Sequence, residues 1–303
     1  MASQYEEGEV ERECLLRADF SHGNVLLDFF NISAAQNWFQ VIFKNDEIIA
    51  PNYDNPQVAK RRGVTSSKKA TTAATTSTEG NQYTHHRNVS LKGTEISLRW
   101  QPSISVEERF LVFTVDYATL KKHMKQCNQK SEASLTVCRI TANGVTDKYV
   151  FAIGDGQEEE GCNDMPVTLT EMCSELEDPY PDEVAYDTFL DLSVSKVSAL
   201  LTKMFDKDTD IVLDLYQGDE GNGIYFHTPD FSKKKPFGVV EGEGVEHVDR
   251  FTMSHKLLES LFKSSLAKTT MAHFVWSPGF PLKIWMYLGN WGKFSVLLYP
   301  KDN

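Results

Sequence analysis

The chain has 303 residues and a mass of 34.3 kDa, long enough for two ordinary domains with cores of their own. Its formal net charge of -12 argues against general affinity for polyanions, so any basic surface must come from where its 31 Lys and Arg are placed. The five cysteines, Cys14, Cys127, Cys138, Cys162 and Cys173, are scattered, odd in number and without paired metal-ligand spacing, which points to a reduced intracellular protein over a disulfide scaffold.

The N-terminal MASQYEEGEVERE is charged, is expected to fray, and does not read as a signal peptide. No apolar run approaches membrane-spanning length, so no membrane partner is expected. The sequons Asn31-Ile-Ser33 and Asn88-Val-Ser90 are then chance matches. A strand-helix-strand unit follows over residues 14–43, its helix predicted at 22–36 with Val25, Leu26, Phe29 and Phe30 as the buried stripe. The other face of this helix carries Asn24, Asp28 and Asn31 and no lysine. Residues 54–82 lose periodicity and are rich in Thr, Ser, Ala and Lys, the composition of a mobile insertion in the first domain. Its cluster Lys60, Arg61, Arg62, Lys68 and Lys69 suits a nuclear-import signal, an arm on phosphates or a solvated loop. Residues 89–102 alternate like two strands joined at Lys92-Gly93.

A second unit spans residues 110–140: FLVFTV and LTVCRI have strand chemistry, and YATLKKHMKQC between them has helical spacing. Tyr117, Leu120, Met124 and Cys127 share one helical face, with Lys121, Lys122 and Lys125 roughly opposite. A hairpin through Asn143-Gly144 leads to a strand at 147–153, and another strand is predicted at 165–172. The acidic loop GDGQEEEGCND between them lacks the ligand spacing of a calcium loop, so no metal is expected there. CSELEDPYPDE, residues 173–183, breaks all periodicity with two prolines and reads as a linker. A third unit at 189–216 sets Val197, Leu200, Leu201 and Met204 against Lys196, Lys203 and Lys207. A fourth at 249–276 sets Leu257, Leu258, Leu261 and Phe262 against Lys256 and Lys263. Between these two units, SKKKPFGVVEGEG is a basic loop and an edge-strand candidate, and residues 280–303 form a terminal hairpin through Gly289-Asn290.

The predicted class is α+β: two similar domains at 13–172 and 184–303, each with two β-α-β units, joined by the connector at 173–183. Catalysis finds little support. Asp206, Asp208 and Asp210 sit in a helix-to-strand turn with no His or Lys placed by motif as a general base, and GDEGNG lacks the lysine and following helix of a P-loop. No catalytic residue and no cofactor is expected.

This order of elements, the lysine-bearing helices, the Pro-containing connector and above all FPLKIWMYLGNWGKFSVLLYPK at 280–301 resemble the DNA sliding clamps of the proliferating cell nuclear antigen family. The resemblance covers residues 14–303 apart from the insertion. It implies a ring of three subunits with sheets outside and helices lining a channel for duplex DNA, bound without sequence preference. Lys122 and Lys125 then correspond to channel lysines on the second helix, Lys203 to one on the third and Lys263 to one on the fourth; helical geometry adds Lys121, Lys196 and Lys256. The lysine-free first helix departs from the family.

The family's ring closes by edge-strand pairing, which implies subunit contacts through Tyr149, Phe151 and Ile153 on a first edge at 147–153 and Phe237 and Val239 on a second at 237–240. Its clients insert an apolar plug that would meet Leu176, Tyr180 and Pro181 of the connector and Pro281, Tyr299 and Pro300 of the terminal hairpin. Tyr299 replaces the small residue usual before the final proline. The resemblance implies a homotrimeric processivity factor that tethers DNA polymerase and other clients in the nucleus or at a viral replication site. A subunit of a heterotrimeric checkpoint clamp and a non-encircling viral polymerase accessory protein stay open as alternatives.

Overall fold

The computed structural model describes residues 10–33, 38–54, 85–92, 96–124, 131–142, 145–154, 163–171, 186–262 and 271–299. Two compact units contain them: one gathers residues from Met1–Asn52, Asn88–Glu177 and Tyr287–Phe294, the other from Tyr53–Arg87, Asp178–Met286 and Ser295–Asn303. The structure is mixed, mostly antiparallel strands with four α-helices among the described residues. The connector, most of the insertion and of the acidic loop, and Cys127, Cys162 and Cys173 lie outside the described residues.

In chain order the first elements are β1 (Val10–Phe20), α1 (Gly23–Ser33), β2 (Trp38–Lys44), β3 (Glu47–Asp54), β4 (His85–Leu91), β5 (Ile96–Trp100), β6 (Phe110–Asp116), α2 (Tyr117–Met124), β7 (Ala133–Ala142), β8 (Val145–Gly154) and β9 (Asn163–Leu169). In the first unit β1 lies between β5 and β7, pairing Leu16 with Trp100 and Ala18 with Leu135. β8 pairs with β7 on one flank and β9 on the other, Tyr149 facing Arg139 and Val167. β2 bridges β3 and β6. The alternation of each strand sends its apolar side chains to one face, where Phe43, Phe113 and Phe151 meet with ring centroids 5.3–6.1 Å apart. α1 lays Val25, Leu26, Phe29 and Phe30 into this core, each at most 1% exposed.

The second unit contains β10 (Thr188–Ser193), α3 (Val194–Met204), β11 (Asp210–Gly218), β12 (Gly221–His227), β13 (Lys234–Gly238), β14 (Glu246–Ser254), α4 (His255–Phe262), β15 (Met271–Trp276) and β16 (Leu282–Tyr287), followed by β17 (Gly292–Leu298). β10, β15 and β16 pair in succession, and a separate four-stranded sheet runs β13-β12-β11-β14. Val194, Val197 and Leu201 of α3 and Leu258, Leu261 and Phe262 of α4 are buried, with Phe262 stacked on Phe274 at 6.3 Å. Leu200 and Met204, expected in the same stripe, are half-buried, because they sit at the margin of the face that Val197 and Leu201 define.

The four-stranded sheet holds a buried carboxylate with partners that no periodicity announces. Asp214 of β11 is 1% exposed. Its Oδ1 accepts from Arg250 Nε at 2.6 Å and its Oδ2 from Arg250 Nη2 at 3.0 Å, while His227 Nε2 lies 2.9 Å from Oδ2. His227 Nδ1 in turn faces the Thr228 carbonyl at 2.7 Å, and its ring stacks on Phe231 at 3.8 Å. Burial pushes the Asp214 carboxyl upward, but Arg250 and then His227 outweigh it and hold it below the ordinary carboxylate value. The β12–β13 hairpin beside it depends on glycine: Gly238 has φ of +72°, and a Cβ there would lie 2.1 Å from the Asn222 carbonyl oxygen.

Asp214→Asn lowers stability at neutral pH by about 1–3 kcal/mol, since the Arg250 guanidinium loses its charged acceptor and His227 Nε2 its carboxylate partner. Because the folded carboxyl is depressed, its contribution is present above the unfolded carboxylate pKa and is lost as pH falls through the folded value. Urea unfolding at neutral and acid pH therefore shows a shallower acid loss in the variant than in the parent. Gly238→Ala costs about 1–3 kcal/mol through its left-handed backbone and clash, and hydrogen exchange shows the lost protection concentrated in β13.

Candidate functional site: helix faces and strand edges

The amphipathic helices present their cations by exclusion. Leu120 and Met124 bury one side of α2, which leaves Lys121 and Lys122 exposed on the other. Lys121 Nζ lies 5.8 Å from the centroid of Tyr117. The Tyr117 hydroxyl donates to Asn31 Oδ1 at 2.7 Å, tying α2 to α1, and burial raises the Tyr117 phenol above its usual pKa. α1 carries an exposed Asn31, half-buried Asn24 and Asp28, and no lysine, as its sequence requires.

In the second unit α3 exposes Lys196 and Lys203 and α4 exposes Lys256. α4 is held to α3 by His255, whose Nε2 lies 2.9 Å from the Leu201 carbonyl oxygen. A groove of about 360 Å³ on α3 is lined by Ser195, Ser198, Thr202, Lys203 and, from α4, Phe262. Hydroxyls beside a flexible ammonium group give this surface neutral donors and a point charge without a base-reading amide or guanidinium. Lys125 and Lys263 lie outside the described residues.

The strand edges correct one expectation and redirect it. β8 is flanked on both sides from Tyr149 to Ile153, so this stretch of the expected 147–153 edge is interior. Phe151 at 0% and Ile153 at 3% exposure belong to the core of their own unit, and Tyr149 is half-buried 5.7 Å from Phe113. Alternation aims these side chains inward, and both hydrogen-bonding flanks of this stretch are used within the sheet, so it offers no open edge. The edge lies one strand further on. β9 pairs with β8 along Asn163 to Val167 and reaches β6 only at Thr168 and Leu169, which leaves the other flank of Asp164 to Val167 unpaired among the described strands. Pro166, which has no N–H to donate, marks this position.

β13 is an edge: it pairs with β12 alone among the described strands, Phe237 facing Ile224, and Val239 N–H extends the pairing by donating to Asn222 O at 3.0 Å. Phe237 and Val239 are half-buried, and Phe237 meets Phe226 at 5.4 Å, so each serves its own domain as well as the rim.

Of the residues expected to receive clients, Pro281 is buried, withdrawn beside Leu282 from any docking surface, and Tyr299 is half-buried. Leu176, Tyr180, Pro181 and Pro300 lie outside the described residues. Sequence reasoning missed the exposure of Phe189 at 64% and Tyr287 at 56%; an aromatic inside an alternating strand signals burial, and only its neighbours decide otherwise.

No protein-family model matches the chain, and no curated protein does. Among solved structures it is similar to a chain of the one described as "C-terminal region of FEN-1 bound to A. fulgidus PCNA", at a TM-score of 0.58 and 12% identity. The match covers 95% of this chain and 99% of that one, and at such identity the likeness is one of fold.

Proposed function

We propose that this chain is a DNA sliding clamp, a processivity factor that encircles duplex DNA and tethers a polymerase and other replication or repair proteins. The observation that carries the reading is the two-sidedness of α2, α3 and α4, each with an apolar stripe in the core and lysines on the opposite side. A clamp must attract phosphates without holding one register. Flexible ammonium groups do this, since they neutralise charge and read no base edge. Lys121, Lys122, Lys196, Lys203 and Lys256 are assigned this role, with Lys125 and Lys263 continuing it on the sequence pattern. The chain acts by topology and recruitment, with no catalytic step and no cofactor.

Ring closure is assigned to the β9 edge of one subunit meeting the β13 edge of the next, a heterologous contact that satisfies two open hydrogen-bonding flanks at once. The fold likeness to the clamp-containing structure supports this reading. The lysine-free outer side of α1 favours, as a second reading, an accessory protein that touches DNA with fewer of its helices. The domain division at 13–172 and 184–303 and activity at the site of DNA copying belong to the same proposal.

Light scattering on the purified protein discriminates the readings. A solution mass about three times the 34.3 kDa chain is expected for the closed homotrimer. A monomer at all concentrations sinks the homotrimeric clamp and moves the assignment to a checkpoint-type subunit or a one-faced accessory protein. Separately, replacing Lys121, Lys122, Lys196, Lys203 and Lys256 by Ala weakens binding to duplex DNA of any sequence. It also flattens the slope of log K against log salt by about 0.9 for each phosphate contact removed. An unchanged slope takes these residues off the DNA-facing side.

A further inference from the structure

Strands β1 and β7 carry between them a thiol pair that the clamp reading does not use. Cys14 and Cys138 are direct cross-strand partners in the β1–β7 ladder, and the register slips between Cys14 and Leu16, so Cys14 sits at the lip of a β-bulge. Both are thiols; Cys14 is exposed and Cys138 is buried at 2% exposure. The Cys14 Sγ lies 3.7 Å from the Leu16 carbonyl oxygen. Directly opposed residues of an antiparallel pair have Cα atoms about 4.5–5.5 Å apart, inside the roughly 4.4–6.8 Å that a disulfide spans. A bulge relaxes the ladder where the Cβ atoms must close the remaining gap.

The surroundings admit a small polar reagent. Cys14 lines a groove of about 570 Å³ whose wall includes Arg12, Arg17 and Arg99 together with Glu11 and Glu13, the arginines being paired to Asp164 and Asp19. Arg12 donates to both oxygens of Asp164, at 2.9 and 3.0 Å, and also interacts with Cys138.

We propose that Cys14 and Cys138 form a redox-active pair that reacts with a low-molecular-weight disulfide, Cys14 attacking first and Cys138 resolving. The Cys14 thiolate attacks one sulfur of the reagent disulfide; the reagent S–S bond breaks, a mixed disulfide forms on Cys14, and one reagent thiolate leaves. The Cys138 thiolate then attacks the Cys14 sulfur and expels the second reagent thiolate. Two cysteine thiols are oxidised to one disulfide, one reagent disulfide is reduced to two thiols, and the two thiol protons end on the released thiolates. The bridge clamps β1 to β7 at the bulge.

Oxidised glutathione is the probe, applied to the protein with Cys127, Cys162 and Cys173 replaced by Ser and to the wild-type chain in parallel. Expected is a mass loss of two hydrogens and, in a non-reducing peptide map, one link between the peptides of Cys14 and Cys138. Cys138→Ser stops at a single glutathione adduct on Cys14, and Cys14→Ser forms neither adduct nor bridge. A lasting adduct on Cys14 with Cys138 present, or a wild-type link made through any other cysteine, overturns the proposal. The wild-type map needs no substitution, so its outcome does not depend on how a variant folds.

Discussion

Every helix of this chain must put one side into hydrocarbon and leave the other in water, and most of what the surface offers follows from that. Burying a Val, Leu or Phe side chain gains about 1.5–3 kcal/mol, whereas an unpaired ammonium group taken out of water costs several. For α3 the choice is settled by Val194, Val197 and Leu201, which fix the rotation of the helix about its axis. Lys196 and Lys203 then have one direction left to them. The cationic display is therefore a by-product of core formation and needs no ion pair to orient it. Side chains displayed this way keep their rotamer freedom, which is the property that binding without register requires.

The sheets obey a second constraint, that each backbone N–H and C=O needs a partner or water. Interior strands such as β8 and β11 meet it on both flanks. β13 and the first half of β9 have no second partner among the described strands, and both carry the residues that keep an open edge from indiscriminate pairing. Lys234, Lys235 and Pro236 are exposed on β13, and Pro166 and Asp164 are exposed on β9. An edge guarded in this way accepts a partner strand of fitting register and rejects a general one, which is what the clamp reading asks of it.

Which side of each helix is buried was legible in the sequence because it is a local property with a period. Val25, Leu26, Phe29 and Phe30 of α1 and Leu258, Leu261 and Phe262 of α4 occupy the core as their spacing predicts. Strand edges are not local. Tyr149, Phe151 and Ile153 alternate alike whether β8 is central or peripheral, since alternation records the two faces of a strand and says nothing about its flanks. The one usable signal was Pro166, a residue that a central strand does not tolerate. Asp214, His227 and Arg250 were illegible for a related reason: they come from three strands and converge only once those strands have paired.

Under the clamp reading, the net charge of -12 and a DNA-facing surface are compatible because of distance. At physiological salt the Debye length is about 8 Å, so carboxylates on other parts of the molecule are screened from a phosphate in contact with a helix. Within that range the phosphate meets Lys121 and Lys122 of α2, or Lys196 and Lys203 of α3. The lysine-free side of α1 then matters more than the total charge, since it limits how many contacts a duplex makes at once. Few contacts, each released readily by salt, suit a protein whose hold on DNA comes from closure and not from affinity. If closure is absent, the same surface is too weak to keep a polymerase on its template, so the oligomeric state decides the mechanism.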